Sequence, residues 1–180
     1  MARLAKIFGV LVGLIVVVVG AGFVLPSAVH VERDIVINAQ PAEIFALIDD
    51  FHNWENWSPW ANIDPDATMT IEGSGVGQIM HWSSEDPKVG NGSQEIIAMD
   101  APNTLTTHLD FGDMGVADAT FALTSEDDGT HVVWSLDSDS REQVPLLQQP
   151  ISTYFGFFMD SMMGGDYETG LQNIKSLAES

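Results

Sequence analysis

The stretch VERDIVINAQPAEIFALIDDFHNWENWSPW, residues 31–60, holds two secondary-structure signals in direct succession. Its first part continues an alternation of apolar and polar side chains that begins at residue 29 and is typical of a strand with one buried face. Pro41 suits the first position of a helix, and Glu43 places an acidic side chain in its first turn. The stretch therefore predicts a strand over residues 29–39, followed at once by a short amphipathic helix.

From residue 68 onward the apolar pattern changes to a period of two, which is typical of consecutive strands. Residues 73–75, the pair Asn91-Gly92 and residues 127–129 are turn signals suited to hairpins. Together they divide the region into about six antiparallel strands: TMTIEGSG, GQIMHWSS, SQEIIAMD, TLTTHLDFG, ADATFALTSE and THVVWSLDS.

Residues 151–178 carry apolar side chains at intervals of three and four, the spacing of one face of a helix. The pair Gly164-Gly165 interrupts this stripe, and two glycines cost about 2 kcal/mol relative to alanine in a helix interior. We therefore expect either a kink or the close approach of another backbone at this pair. Residues 154–165, YFGFFMDSMMGG, are rich in Phe and Met, which suits plain core packing as well as an adaptable wall for a ligand.

The predicted order is one strand, two short helices, about six antiparallel strands and one long helix, which is an α+β arrangement. An antiparallel sheet buries one face only if another element covers it, and the long C-terminal helix is the one element large enough. We therefore predict a helix-grip fold, in which a curved antiparallel sheet of about six to seven strands wraps around that helix. The short helices would close one end of a wedge-shaped space between sheet and helix.

Four pieces of the chain resemble the START-like superfamily, in particular its SRPBCC group of polyketide cyclase/dehydrase-like and lipid-transfer-like proteins. They are the opening stretch, GVGQIMHWSS followed by VGNGSQEI, DGTHVVWSL, and MMGGDYETGLQNIKSLAE. The resemblance covers residues 30–179 and implies the helix-grip fold with a cavity for hydrophobic small molecules. It implies no single activity, because the fold hosts carriers, sensors and enzymes, and no shared catalytic motif transfers to this chain.

Three of the five tryptophans lie within the opening stretch. Trp54 and Trp57 are three residues apart and share a face of the second short helix, whereas Pro59 places Trp60 in the turn that follows. We expect these indoles at the corner where the short helices close the sheet. They either plug the core there, each burying about 150–250 Å², or place Trp60 at the cavity mouth, in contact with a ligand.

Nine bulky or adaptable side chains are candidates for lining the cavity, from the predicted strands, the turn after the short helices and the C-terminal helix. They are Trp60, Met80, Trp82, His108, Phe121, Trp134, Phe155, Met159 and Met162. Binding would come from burial of apolar ligand surface, with few polar groups fixing the orientation of the ligand.

The sequence offers three strand histidines, His81, His108 and His131, as candidates for acid–base chemistry. A histidine that faces the cavity would be able to donate a proton in a cyclisation or dehydration. His81 and Trp82 are neighbours on one strand and therefore face opposite sides of the sheet. No catalytic residue is assigned, no His-x-His or His-x-x-x-His pair predicts a metal site, and no cofactor is expected.

An apolar run without a charge, residues 7–25, precedes the domain. At 1.5 Å per residue it spans about 28 Å, close to the hydrocarbon thickness of a bilayer. Arg3 and Lys6 before it favour a cytoplasmic N-terminus, which places the rest of the chain in the periplasm or extracellular space. A cleaved signal peptide is the alternative, although its apolar region is usually shorter and residues 26–28, Pro-Ser-Ala, match the cleavage pattern poorly.

Charge is distributed unevenly along the chain. All 26 acidic side chains and only four basic ones follow residue 30, so that part carries a formal charge of −22. Such a field repels nucleic acid and anionic headgroups, and neither is expected as a partner. The chain also has no cysteine, which excludes disulfides and thiolate chemistry.

We therefore predict two parts, an anchor with a short tether over residues 1–28 and a START-like domain over residues 29–180. The leading hypothesis is a membrane-anchored carrier or sensor that binds a hydrophobic small molecule or lipid. One alternative is a cyclase- or dehydratase-like enzyme that uses a cavity histidine or carboxylate. The other alternative is an interaction module whose interior is fully packed and takes no ligand.

Overall fold

Seven antiparallel strands form one curved sheet in the computed structural model, which describes residues 2–61, 63–64, 66–86 and 89–180. The strands are β1 (Ala28–Ile37), β2 (Thr68–Glu72), β3 (Ile79–Ser83), β4 (Asn91–Asp100), β5 (Thr104–Asp110), β6 (Val116–Glu126) and β7 (Gly129–Asp139). Their spatial order is β1-β7-β6-β5-β4-β3-β2. A register irregularity in β4 between Ile96 and Ala98 adds to the bend of the sheet.

Within those described ranges, four α-helices accompany the sheet: α1 (Ala2–Val24), α2 (Pro41–Ile48), α3 (Gln149–Gly156) and α4 (Met159–Ala178). Short 3-10 helices cover Phe51–Asn56 and Gly112–Met114. The concave face of the sheet is covered by α4, which lies against β1, and by α2, which packs beside α4 on β6. The α+β helix-grip fold predicted from the sequence is confirmed.

The helix predicted at Pro41 is confirmed, and the local sequence explains how it starts. The Gln40 backbone N–H donates to Glu43 Oε2 at 2.9 Å, which is one half of a reciprocal capping box. The second short helix is the 3-10 helix that ends at Asn56, and Trp60 lies in the turn beyond it, as the sequence predicts.

The single helix predicted over residues 151–178 is wrong, because the structure has two helices in this region. α3 ends at Gly156 and α4 begins at Met159, with Phe157 and Phe158 between them. α3, which precedes the break, packs mainly against α1. Only α4 is therefore the helix that the sheet grips.

The pair Gly164-Gly165 does not end α4, which continues through both residues. A side chain approaches here, not a backbone as expected: the Arg33 guanidinium occupies the space that a β-carbon on Gly164 would need. Arg33 donates from Nη1 to Asp160 at 2.8 Å and from Nε to Glu168 at 2.9 Å, which ties β1 to α4. The hydrogen bond from Arg33 also lowers the pKa of Asp160.

The pair Asn91-Gly92, predicted as a tight turn, lies inside β4 instead, where Gly92 is opposite Trp82 on β3. The Trp82 ring lies over Gly92, in the space that a side chain would occupy. Glycine therefore serves close packing here and not a turn. The hairpin predicted at residues 127–129 joins β6 to β7 as expected.

Alternation along β7 shows which face of the sheet is inside. Val132, Trp134 and Leu136 are buried, while Val133 and Ser135 between them are partly exposed. The buried face of α4 packs on the same inward side chains, so the hydrophobic core lies between the sheet and α4.

Candidate ligand-binding interior

Aromatic side chains fill the space between the concave face of the sheet and α4. Six of them are linked by ring contacts around Trp134, and Phe51 adds one further contact, to Trp54. We call the six the aromatic core: Trp54, Trp57, Trp60, Phe121, Trp134 and Tyr167. All are buried except Trp60, which is half-buried at the edge. Segments far apart in sequence supply them, namely the 3-10 helix with its following turn, strands β6 and β7, and α4.

Trp134 on β7 occupies the centre of the aromatic core. It is stacked between Phe121, with ring centroids 4.7 Å apart, and Tyr167, with ring centroids 3.9 Å apart. Trp57 meets it edge-on at a centroid distance of 5.6 Å. Gly170 lets α4 approach the ring, since a β-carbon there would lie 2.8 Å from Trp134 Cζ3. Aromatic pairs in these geometries add about 0.5–1.5 kcal/mol each beyond the burial of their area, so the rings hold one another in place.

The buried indole N–H groups of the aromatic core differ in their partners. Trp54 Nε1 donates to the Ile48 carbonyl at 2.9 Å, and Trp57 Nε1 donates to the Leu47 carbonyl at 2.8 Å. Trp134 Nε1 is buried and has no acceptor among the residues that the structure describes. A buried donor without a partner costs about 1–3 kcal/mol, so a bound molecule that supplied an acceptor would recover this free energy.

Other buried polar side chains on the inner face have partners. Gln94 Nε2 donates to Thr107 Oγ1 at 2.9 Å, and the Gln78 amide bonds the backbone of the 3-10 helix and the Asp50 carboxylate. Tyr167 is the one ionisable side chain in the aromatic core as defined above. Burial raises the pKa of its phenol, so Tyr167 stays protonated and is able to donate a hydrogen bond but not to accept a proton.

The histidine–carboxylate pairs lie outside this interior. Short contacts of 2.7–2.8 Å join His30, His52, His108 and His131 to aspartates on the exposed surface. The predicted lining residue His108 instead bonds Asp118 on the convex face, because its neighbour Thr107 takes the inward position on β5. Within the described part of the chain, no three His, Asp or Glu side chains converge on a site for a metal ion.

Six of the nine predicted lining residues lie in the hydrophobic core or against it. They are Phe121, Trp134 and Met80, which are buried, and Trp60, Trp82 and Met159, which are partly buried. Phe155 and Met162 are 58% and 59% exposed and do not join them. The break before α4 places Phe155 on α3 beside α1, and Met162 is on the outer side of α4.

Two open depressions on the surface, of about 550 and 640 Å³, lie away from the aromatic core. The first is bordered by residues 90–93 and 110–112, and the second by residues 38–40 and 126–129. None of the nine predicted lining residues, all of which the structure describes, borders either depression. Rings occupy the space beside Trp134 in this structure, so a ligand has to displace side chains to reach it.

Sequence reasoning left Tyr167 and Gly170 out of the site. Tyr167 belongs to the apolar stripe over residues 151–178. An aromatic side chain on that stripe is the sequence feature that could have identified it as an inward residue. Gly170 carried no local signal, because its role depends on the Trp134 ring, which comes from a distant strand.

The architecture defines an α+β helix-grip domain with an aromatic interior. The chain belongs to the polyketide cyclase / dehydrase and lipid transport family, which it matches over residues 28–179. The match therefore covers the whole sheet, α2, α3 and α4, and begins just after α1. Among curated proteins, none matches the chain in sequence.

Solved structures have the same fold at low sequence identity. The di-domain ARO/CYC protein StfQ from the steffimycin biosynthetic pathway matches with a TM-score of 0.66 and 9% identity, over 84% of this chain and 51% of StfQ, so this chain spans about half of that protein. Protein SA2116 of unknown function from Staphylococcus aureus matches with a TM-score of 0.62 and 10% identity, over 87% of this chain and 99% of SA2116. Protein MLL2253 from Mesorhizobium loti matches with a TM-score of 0.59 and 15% identity, over 83% of this chain and 96% of MLL2253.

Proposed function

We propose that this chain is a membrane-anchored carrier or sensor that binds a hydrophobic small molecule or lipid between the sheet and α4. Residues 29–180 form the binding domain, and residues 1–28 form the anchor and tether. Membership of a family of polyketide cyclases, dehydrases and lipid transport proteins supports the class of ligand. The aromatic core supports this position for the ligand, since it is part of the apolar interior of the domain.

The observation that carries this proposal is Trp134 Nε1, a buried donor that lacks an acceptor among the described residues. A ligand with a carbonyl or ether oxygen would satisfy this donor, while its apolar remainder packed on the flat rings of the aromatic core. The hydrogen bond would orient the ligand, and apolar burial would supply most of the affinity. The expected ligand is therefore largely apolar and carries an acceptor oxygen.

Room for the ligand would come from side chains at the edge of the aromatic core. Met159 and Met163, in the first turns of α4, pack against the core, and methionine adapts its shape easily. Trp60 is half-buried and meets Trp134 edge-on at a centroid distance of 6.0 Å. Movement of these three side chains would open a path to Trp134 while the sheet stays intact.

The apolar helix α1 supports the membrane part of the proposal. In the described part of the chain one helix, over Lys6–Val24, is long and apolar enough to cross a bilayer, with a mean hydropathy of 2.9. Only 6% of that span is buried in the protein, unlike the helix of a soluble core. Arg3 and Lys6 favour a cytoplasmic N-terminus, so the domain would lie on the opposite side, beside the bilayer where hydrophobic ligands concentrate.

A matched pair of aromatic probes tests the binding and the role of Trp134. Anthracene and anthraquinone share a ring frame, but only the quinone carries acceptor oxygens. We expect each probe to quench the tryptophan fluorescence of the full-length chain in lipid nanodiscs, with a saturable component above linear partitioning into lipid. Trp134→Phe should weaken anthraquinone binding about two- to tenfold, since one hydrogen bond contributes about 0.5–1.5 kcal/mol, and leave anthracene binding unchanged.

Trp82→Phe is the matched control. Trp82 Nε1 already donates to the Val89 carbonyl at 3.3 Å, and its ring lies beside Phe111, outside the aromatic core. This variant should leave the affinity for both probes unchanged. The lack of a saturable component for both probes would refute ligand binding, and an equal effect of Trp134→Phe on both probes would refute the hydrogen bond.

A specific observation favours a second candidate, the interaction module without a ligand. The rings around Trp134 are in mutual contact, and the two depressions of about 550 and 640 Å³ lie elsewhere. In that case neither probe would show saturable quenching, although the chain would still insert into the membrane. The same titration therefore separates the two candidates.

The enzyme alternative needs an acid or base that reaches the ligand. Tyr167 stays protonated, and the histidine–aspartate pairs at His30, His108 and His131 lie on the outer surface. The aromatic core itself therefore offers hydrogen-bond donors and apolar surface but no general base. We favour binding without catalysis on this ground.

A further inference from the structure

Exposed apolar side chains cluster along α3 and the segments that flank it, outside the hydrophobic core. We call this cluster the apolar ledge, and its members are Leu146, Leu147, Ile151, Phe155, Phe157, Phe158 and Met162. Each of them is more than half exposed, and Leu147 is 89% exposed. Grouped apolar exposure of this kind marks a surface that meets a partner or a membrane.

α3 is held directly against the C-terminal part of α1. Tyr154 Oη donates to the Val18 carbonyl at 2.7 Å. Pro150 packs at Gly22, where a β-carbon would lie 2.7 Å from Pro150 Cα. Arg141 Nη2 donates to the Gly22 carbonyl at 3.0 Å. These contacts fix the apolar ledge beside the helix that is long and apolar enough to cross a bilayer.

The contact at Val18 sets the depth of the apolar ledge relative to that span. Val18 lies six residues before Val24, the last residue of the apolar span, which corresponds to about 9 Å at 1.5 Å per residue. Helices that lie in the plane of a membrane bury their apolar face about 5–10 Å into the boundary between headgroups and acyl chains. The position of α3 along α1 matches this depth.

We propose that the apolar ledge is embedded in the non-cytoplasmic leaflet of the bilayer, next to α1. This proposal rests on the membrane anchoring by α1 that is part of the proposed function. The ledge would contact lipid hydrocarbon, because the contacts at Val18 and Gly22 hold it beside α1. The apolar side chains of α1 are themselves exposed, so the two form one continuous apolar surface. The domain then sits on the bilayer in one orientation instead of moving freely on a tether.

The negative charge of the domain argues against binding to headgroups and in favour of contact with the hydrocarbon of the bilayer. The chain after residue 30 is strongly acidic, and anionic headgroups repel it. Arg141, which contacts α3, already donates to Thr153 Oγ1 at 3.0 Å and to the Gly22 carbonyl of α1. Insertion must therefore come from apolar burial, and it should not require anionic lipid.

The test uses single cysteines, for which this cysteine-free chain is well suited. Leu147→Cys and Phe155→Cys place an environment-sensitive NBD label on the apolar ledge, and Val16→Cys places it in the middle of α1. Asp128→Cys is the control that should stay in water. Asp128 lies in the turn beside Thr130, which pairs with Ile37 at the end of β1. That end of β1 is about 30 Å along the strand from Ala28, the end next to α1. Each full-length variant is reconstituted in phosphatidylcholine vesicles with and without lipid that carries a nitroxide on its acyl chain.

We expect blue-shifted emission and nitroxide quenching at positions 147, 155 and 16, and neither effect at position 128. Added phosphatidylglycerol should not strengthen the quenching, and high salt should not abolish it. Quenching at position 16 without quenching at 147 and 155 overturns the ledge proposal and leaves the anchor intact. The lack of quenching at position 16 overturns the anchoring and the ledge with it, whereas ligand binding is measured separately with the aromatic probes.

A second copy of the chain is the competing occupant of this surface. Unlabelled Phe155→Cys chains in the same vesicles test it, since two copies that met through the apolar ledge would form a disulfide on mild oxidation. We expect the chain to stay monomeric under these conditions. A disulfide-linked dimer at Phe155→Cys, with none at Asp128→Cys, would overturn the proposal in favour of self-association.

Discussion

Replacement of Gly170 by alanine tests how closely the rings around Trp134 are packed. The added β-carbon would lie 2.8 Å from Trp134 Cζ3 and 3.3 Å from Pro59 Cδ. Trp134 has no room to move aside, because it is stacked between Phe121 and Tyr167. The added methyl group therefore overpacks the core, at a cost of about 1–3 kcal/mol in the free energy of unfolding.

Gly165→Ala in the same helix is the matched control. Gly165 is exposed, and nothing lies within 4 Å of its β-carbon position, so this variant gains about 1 kcal/mol from helix propensity alone. Gly170→Ala has the same gain and the packing cost together, so we expect it to be neutral to about 2 kcal/mol less stable than the parent. The difference between the two variants, about 1–3 kcal/mol, isolates the packing cost.

Denaturant unfolding of the full-length chain in nonionic micelles, followed by tryptophan fluorescence and circular dichroism, gives both free energies. In thermal unfolding the expected difference between the variants corresponds to about 2–12 °C for a domain of this size. Equal stabilisation by both substitutions would refute the close packing, because it would mean that α4 borders open space at position 170.

Three further substitutions test separate contacts. Asn173→Ala removes the Nδ2 donor to the Trp57 carbonyl at 2.9 Å and should cost about 1–3 kcal/mol in denaturant unfolding; an unchanged midpoint would contradict this role. Arg33→Gln breaks both carboxylate contacts to α4 and should lower the melting temperature, with a smaller loss in high salt because the pairs are partly exposed; a loss that ignores salt would argue against an ionic origin. The hydrogen bond to Asp137 raises the pKa of His30 above 6.5, so this contact stabilises the fold below that pH and is lost as the pH rises through the folded-state pKa. The stability difference between the parent and His30→Gln should therefore be larger at about pH 5.5 than at about pH 8.5, and equal differences would exclude the pairing.

Features that depend on neighbours in sequence were predictable. The start of α2 follows from Pro41 and Glu43, and the β6–β7 hairpin follows from residues 127–129. The break at residues 157–158 was not predictable, because the apolar stripe continues at helical spacing on both sides of it. Periodicity shows that a face is apolar, but it does not show whether the sheet or α1 covers that face.

The candidate site shows the same division. Phe121 and Trp134 were predictable as inward residues from strand alternation, and both lie in the aromatic core. The same alternation was available for His108, since Leu105 and Leu109 on either side of it mark the inward positions of β5. Alternation alone therefore predicts that His108 faces outward, and the structure places it on the convex face.

Phe155 and Met162 lie outside the hydrophobic core for a different reason. Their surroundings depend on the packing of α3 against α1, and the Tyr154–Val18 contact joins residues 136 positions apart. No local pattern encodes such a contact. An apolar side chain beside the apolar helix α1 carries the same sequence signal as one in a core, although its environment is different.

Native mass spectrometry of the gently extracted full-length chain is the most direct test of ligand binding. We predict a retained, largely apolar molecule with an acceptor oxygen, which is released when the domain unfolds and is bound to a smaller fraction of Trp134→Phe chains than of Trp82→Phe chains. The bare mass of the chain under every gentle extraction condition, for the parent and for both variants, would contradict a ligand in the aromatic core.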